Sequence, residues 1–339
     1  MSDDWGLERV EPHWQRERAE PVAVGPPRRR MSRAARIREE RRRRQRRVAT
    51  GAVVGILVVV VIGAVFLGSR LWHSMFGTPG DFTGSGVSDV IIEVRDGDTT
   101  TAIGETLQEQ GVVATTSAFV KAAEGNAAIA TIQPGFYKVR TEIPAADAVA
   151  RLTDPQNRVG KLVIPEGRQL DDVRDVKTDA VTEGIFTLIS KATCVDLNGD
   201  HSCVDADALR EEAMSADPAA LGVPDWAMGP VRAMGSDHRR LEGLIAPGTW
   251  NIDPSASPRE ILSSLITAST AQYAEGGLLA TARALNMSPY QVLIVGSLVQ
   301  REATPEDFAK VARVIYNRLA EDRTLEFDST VNYPLDRIE

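Results

Sequence analysis

Apolar residues run unbroken from Ala52 to Leu67 (AVVGILVVVVIGAVFL) and then recur at strand and helix periods from Asp89 onward. The unbroken run carries no charge. With Thr50, Gly51, Gly68 and Ser69 it reaches the about 20 residues that cross a bilayer core, which predicts one transmembrane helix over 48–72. From Asp89, VIIEV alternates as a strand, RDGD turns, and TTTAIGETLQEQG sets Ile103 and Leu107 at helical spacing before Gly111 stops it. TTSAFVKAAEG predicts a second helix capped by Thr116 or Ser117, QPGFYKV a turn into a strand, and PAADAVARLTD a helix closing near Asp154.

The strand signal returns at KLVIPEGRQL (161–170), where Pro165 and Gly167 are expected to turn the chain into a helix. MSPYQVLIVGSLVQRE predicts a helix with Ser288 as cap and Pro289 at its first position. Its middle, Val292 to Val299, is apolar nearly all round, and such a helix is expected to be buried. Thr304 then caps a further helix with Pro305 first, and Phe308, Val311, Ala312, Ile315 and Leu319 recur along its inner face. These elements predict an α+β fold.

Charge changes the picture at the N-terminus. The formal net charge is -8, yet RRRMSRAARIREERRRRQRR (28–47) is strongly basic, so the remainder is more acidic than the sum suggests. A bulk-charge argument for nucleic acid as a partner therefore fails, and the basic run reads as a topology signal that holds the N-terminus in the cytoplasm. Residues 1–47 lack the apolar surface to fold alone and form a disordered tail; 73–88, with GTPGDFTGSGVSD, form a linker. A cleaved signal peptide is the competing reading, but its basic region would be far too long. The folded part is thus expected outside the cytoplasm, on a single-pass anchor in the plasma membrane.

Two cysteines, Cys194 and Cys203, allow only one intramolecular pairing, which an oxidising compartment favours; two free thiols are the alternative. They flank or fall within DLNGDHSCVDAD (196–207), which sets Asp196, Asn198, Asp200, Ser202 and Asp207 at positions one, three, five, seven and twelve of a twelve-residue loop. That spacing suits a structural calcium ion, although His201 stands where glycine makes the sharp turn and the last ligand is Asp rather than Glu. The alternative is a polar surface insertion with solvated acids.

Glu302 closes the apolar helix, at a junction of two packed helices where partial desolvation would favour its neutral form. A general acid working near neutral pH requires that state. GSLVQRE, VARVIYNRL and LEFDSTVNY, in this order and closely spaced, resemble the signature of the YceG-like family of endolytic murein transglycosylases. LEGLIAPGTWNI is similar to its Glu-Gly-x-Leu-x-Pro-x-Thr-Tyr segment, with Gly248 for Asp and Trp250 for Tyr. VRDGDTTTAIGETLQEQGVV, the Phe119 helix and PGFYKV resemble the LysM-like subdomain that precedes the family's catalytic domain, giving 89–158 and 159–339.

The resemblance implies a lytic transglycosylase that cuts the β-1,4 bond between N-acetylmuramic acid and N-acetylglucosamine and leaves a 1,6-anhydro end. It implies no required cofactor, Glu302 as the catalytic acid, and glycan strands and peptidoglycan synthases as partners. Gln300 stands where Glu is frequent in the family. Tyr316, Asn317, Glu326, Asp328, Thr330 and Asn332 are the expected substrate-binding residues, with Asp328 to Asn332 in a loop. Glu326 replaces the usual Gln, and family members continue past YPLDRIE with a Gly-Leu-Pro-Pro-Gly-Pro-Ile stretch, so a segment completing the domain is expected to be missing. The other class of function compatible with these departures is an inactive, membrane-anchored peptidoglycan-binding or scaffold protein.

Overall fold

The computed structural model describes residues 80–175 and 177–335. The expected tail, the transmembrane helix over 48–72 and part of the linker lie outside the described residues. Among the described residues no helix is long and apolar enough to cross a membrane.

β1 (Asp89–Val94) turns Ile92 and Val94 inward and Glu93 outward, and pairs antiparallel with β2 (Gly135–Arg140) in the register Asp89↔Arg140 to Val94↔Gly135. β3 (Arg158–Val159) adds the third strand on the far side of β2. α1 (Thr100–Glu109) starts at Thr99, whose hydroxyl accepts from the Ala102 amide at 3.2 Å. α2 (Thr116–Ala123) is capped by Thr115, which accepts from the Ala118 amide at 3.1 Å, rather than by Thr116 or Ser117. With α3 (Ala145–Thr153) these helices cover the sheet and bury Leu107, Phe119, Val139 and Ala148 completely.

β4 (Lys161–Ile164) pairs antiparallel with the distant β9 (Gly248–Asn251), with Trp250 donating to the Ala246 carbonyl at 3.1 Å. The turn at Pro165 and Gly167 does not enter a helix. It leads to a short hairpin, β5 (Val173–Arg174) and β6 (Val181–Thr182), and α4 (Ile185–Ala192) begins only afterwards. α4, α5 (Ala206–Ser215), α6 (Asp225–Ala233) and α7 (Pro258–Glu275) pack a second core around Leu162, Phe186, Leu209, Leu241 and Leu262. A third, smaller cluster joins α9 (Pro289–Glu302), which follows α8 (Leu278–Leu285), to α10 (Phe308–Ala320).

The chain passes from the strands of the first core to those of the second at Gly160, between β3 and β4, where its carbonyl accepts from the Ile252 amide at 2.9 Å. The Gly160 φ is +66°, and a Cβ there would lie 1.9 Å from the Ile252 carbonyl oxygen, so no side chain fits. A second tie comes from the stretch 196–207. It folds as β7 (Val195–Leu197) and β8 (Asp200–Ser202) around Asn198-Gly199, both at positive φ (55° and 92°), and not as a loop around a cation. Asn-Gly is the pair a two-residue hairpin turn of this kind prefers.

Three of the five expected calcium ligands are turned to separate partners. The Asp196 carboxylate faces His201 Nδ1 at 2.7 Å, and Asp207, in the first turn of α5, pairs with Arg210. The Asn198 side chain accepts from the Asp89 amide at 2.6 Å and donates to its carbonyl at 3.2 Å. Asp200 and Ser202 are exposed. The Cys194–Cys203 disulfide closes the base of this hairpin, and Lys138 of β2 donates to the Asp196 carbonyl at 3.1 Å. The hairpin thus grips the edge of β1.

Candidate active site

α9 starts as its sequence predicts: Ser288 and Gln291 form a reciprocal capping box, with Pro289 at the first helical position. Its burial differs from expectation. Only Val295 and Val299 are buried along it, and Ile294 is 45% exposed. Tyr290 and Leu293 lean on the second core, while the far end packs against α10 in the third cluster. α10 begins at Phe308; Thr304 precedes a separate turn, Pro305–Asp307, without a side-chain capping bond. Of its expected inner face, Ile315 is buried, Phe308, Val311 and Ala312 are half-buried, and Leu319 is 46% exposed.

Glu302, the last residue of α9, is half-buried. Its Oε1 accepts from the Ser329 amide at 2.9 Å. Ser329 is the second residue of α11 (Asp328–Leu335), a helix where a loop was expected, so the carboxyl group is held at the start of that helix. Ser329 Oγ is sealed from solvent and has no hydrogen-bond partner. Next to Glu302, Arg301 donates to the Gly167 carbonyl at 3.3 Å, drawing the turn after β4 against the end of α9. Gly167 has φ +71°, and a Cβ there would come within 3.1 Å of Arg301 Nη1.

The expected substrate-binding residues separate into two groups. Asn317, Glu326, Asp328 and Asn332 are exposed. Tyr316 packs into the third cluster, and Thr330 is spent on its own turn, donating to the Phe327 carbonyl at 2.7 Å and accepting from its amide at 3.1 Å. Glu326 adopts a positive φ of 52° and accepts from Thr324 Oγ1 at 3.0 Å. Arg318 reaches the Leu325 carbonyl and lies over the Phe327 ring at 5.4 Å, which fixes the connection from α10 to α11.

A second set of charges escaped the sequence reading. Asp171 accepts from Arg210 Nε at 3.0 Å and Arg239 Nε at 3.3 Å, and lies 2.6 Å from His238 Nε2. Burial alone would raise its carboxyl; the His238 and Arg210 hydrogen bonds and charges outweigh that and hold it below the usual carboxylate range. Glu242 accepts from the Leu170 amide at 3.3 Å, and burial pushes it up to about 7 against the pull of that amide and of Arg239. Burial and the Glu242 charge together raise Tyr290, in the first turn of α9. The strongly desolvated acid is thus Glu242. Charged residues inside the apolar run around LEGLIAP were the available signal.

The turn 165–170 connects these places, held at Leu170 by Glu242 and at Gly167 by Arg301. α11 closes the other side, with Arg239 under the Tyr333 ring at 5.7 Å. One half-buried carboxyl beside a helix start and an unpartnered hydroxyl can deliver a proton to a bound oxygen and take one back. A cavity of about 700 Å³ lies elsewhere, between the loops around Arg95 and Gly135 and the segment from Asn251 to Ala256. It includes neither Glu302 nor Glu242.

A family model described as the YceG-like family matches residues 92–339. The endolytic murein transglycosylase of Streptococcus pneumoniae (strain D39) is 25% identical over 253 residues, covering 72% of this chain and 43% of that protein. The endolytic murein transglycosylase of Bacillus subtilis (strain 168) is 26% identical over 252 residues, covering 72% of this chain and 62% of that protein. The chain therefore spans about half the length of these curated relatives. A crystal structure of a YceG-like protein from Listeria monocytogenes aligns at 23% identity and TM-score 0.37, covering 73% of this chain and 75% of that one.

Proposed function

The chain belongs to the YceG-like family, and from that membership we propose that it is a membrane-anchored lytic transglycosylase that cuts glycan strands internally and ends their elongation. Glu302 is the proton donor. It protonates the glycosidic oxygen as the bond to C1 of N-acetylmuramic acid breaks, the muramic 6-hydroxyl forms the new bond to C1, and its proton returns to the Glu302 carboxylate. No water is consumed, so the second carboxylate that ordinary glycosidases use to activate water or attack the sugar is not required. The Ser329 amide holds Glu302 at the start of α11, and that contact between two of the family's motifs is the observation that carries the reading.

Within this proposal, 89–158 acts as a LysM-like subdomain, 48–72 as the anchor, and the folded part works outside the cytoplasm beside peptidoglycan synthases. The Glu326 departure supports a second reading, an inactive glycan-binding or scaffold protein. Digestion of purified sacculi separates the two. The intact chain is expected to release anhydro-ended muropeptides, seen by mass spectrometry, and Glu302→Gln to lower their yield by at least about 100-fold, within the range of general acid catalysis. Equal yields from both, with both folded by circular dichroism, would remove Glu302 from the chemistry; no product from either would favour the binder.

A further inference from the structure

We propose that the hairpin closed by Cys194 and Cys203 is, once its disulfide is reduced, a zinc site with Cys194 Sγ, Cys203 Sγ and His201 Nε2 as protein ligands and water as the fourth. These atoms all lie within 4.8 Å of one another, and the three residues are exposed, so both a reductant and a metal ion reach them. His201 Nε2 is already 3.5 Å from Cys203 Sγ. Tetrahedral zinc with Zn–S near 2.3 Å sets sulfurs about 3.8 Å apart, a separation open to the reduced pair and not to the bonded one. Thiolates and imidazole are the donors that zinc selects.

The second ring nitrogen carries the independent observation. His201 Nδ1 sits 2.7 Å from the Asp196 carboxylate. A carboxylate on the outer nitrogen fixes the ring and leaves Nε2 as the lone-pair donor, the arrangement that orients zinc-bound histidines. Asp196 is therefore a positioning residue here.

The chemistry balances with a dithiol reductant. Two thiol–disulfide exchanges transfer two electrons and two protons to the Cys194–Cys203 bond, the dithiol leaves as its own disulfide, and the two new thiols release their protons as Zn²⁺ binds. Affinity consequently falls with acidity. Either closure, sulfur to sulfur or sulfur to metal, keeps the Asn198 turn against Asp89, where it bridges the two cores.

The test uses the full chain, a phosphine reductant that becomes the phosphine oxide, and zinc chloride titrated against a chromophoric chelator, with cobalt as the spectroscopic probe. One zinc per reduced chain, none per disulfide-bonded chain, and a thiolate-to-cobalt charge-transfer band are expected. Asp196→Asn is expected to weaken zinc by about 10- to 100-fold, and His201→Ala by at least as much. Reduced and disulfide-bonded chains that bind zinc equally, no uptake by the reduced chain, or His201→Ala binding as tightly as the parent would each overturn the site.

Discussion

The second core and the layer that carries Glu302 are built from the same kinds of helix, yet they are buried very differently. Around Phe186, Leu209, Leu241 and Leu262 the side chains are almost wholly removed from water. Around Glu302, α9 and α10 contribute only Val295, Val299 and Ile315 to the buried set, while Val314 is 40% exposed and Val331 of α11 57% exposed. Stability is thus concentrated in one region and the proposed chemistry in another. Segments with few buried contacts open at lower free energy than the core, and binding elements are drawn from that class. The most direct way to break this contrast is by cavity. Phe186→Ala is expected to cost about 3–5 kcal/mol in urea unfolding, whereas Ile315→Ala falls toward the low end of about 2–5 kcal/mol because its half-exposed neighbours can collapse. Equal losses would mean that the thin layer is packed as firmly as the core.

Acidity sharpens the same contrast, because Glu242 lies on the core side of the turn that Arg301 holds on the other. Below about pH 4.5 its carboxyl is protonated in folded and unfolded chains alike. Between its ordinary 4.5 and about 7 only the folded chain keeps the proton, so its contribution to stability is lost as pH rises through that window. The loss is on the order of 3 kcal/mol at most. Glu242→Gln is expected to flatten the fall of the urea midpoint between pH 5 and about 7.5. Parallel curves for parent and variant would show that the carboxyl is hydrated in solution.

The third comparison sets the disulfide hairpin against the rest of the joint. Asn198 exchanges three hydrogen bonds with Asp89 across 109 positions of sequence. Asn198→Ala is expected to cost about 1 kcal/mol, since exposed hydrogen bonds contribute little net stability each. It should speed hydrogen exchange at the Asp89 and Asn198 amides more than at Phe186. Uniform acceleration everywhere would mean that the hairpin does not act locally.

This hairpin also shows where sequence reasoning stops. Local signals were legible: the alternation of β1, the Ser288–Pro289 start of α9, and the strand and helix order between Asp89 and Asp154 all depend on neighbours a few positions apart. The stretch 196–207 carried two local signals at once, oxygen ligands at calcium spacing and an Asn-Gly turn. The turn prevailed because positive φ at both central residues suits that pair and Asp89 supplies partners for the Asn198 amide. What was not legible depends on distance along the chain. The pairing of Leu162 with Trp250 and the contact of Asp171 with His238 and Arg239 join segments that no periodicity links. Glu302 was expected between two interior helices, but an apolar run does not say whether anything covers it. Its hydrogen bond to Ser329 depended on a helix read as a loop.

The exposed stripe on α9 gives the smallest and most discriminating effect. Ile and Ser have similar intrinsic helix propensity, so Ile294→Ser changes mainly the water-facing surface. With Ile294 45% exposed, the expected loss is below about 1 kcal/mol. Urea unfolding at two protein concentrations reads this directly. A loss above 2 kcal/mol, or a parent midpoint that rises with concentration while that of Ile294→Ser does not, would mean that in solution another surface covers the stripe. Glu302 would then sit on a layer whose stability is supplied from outside the described helices.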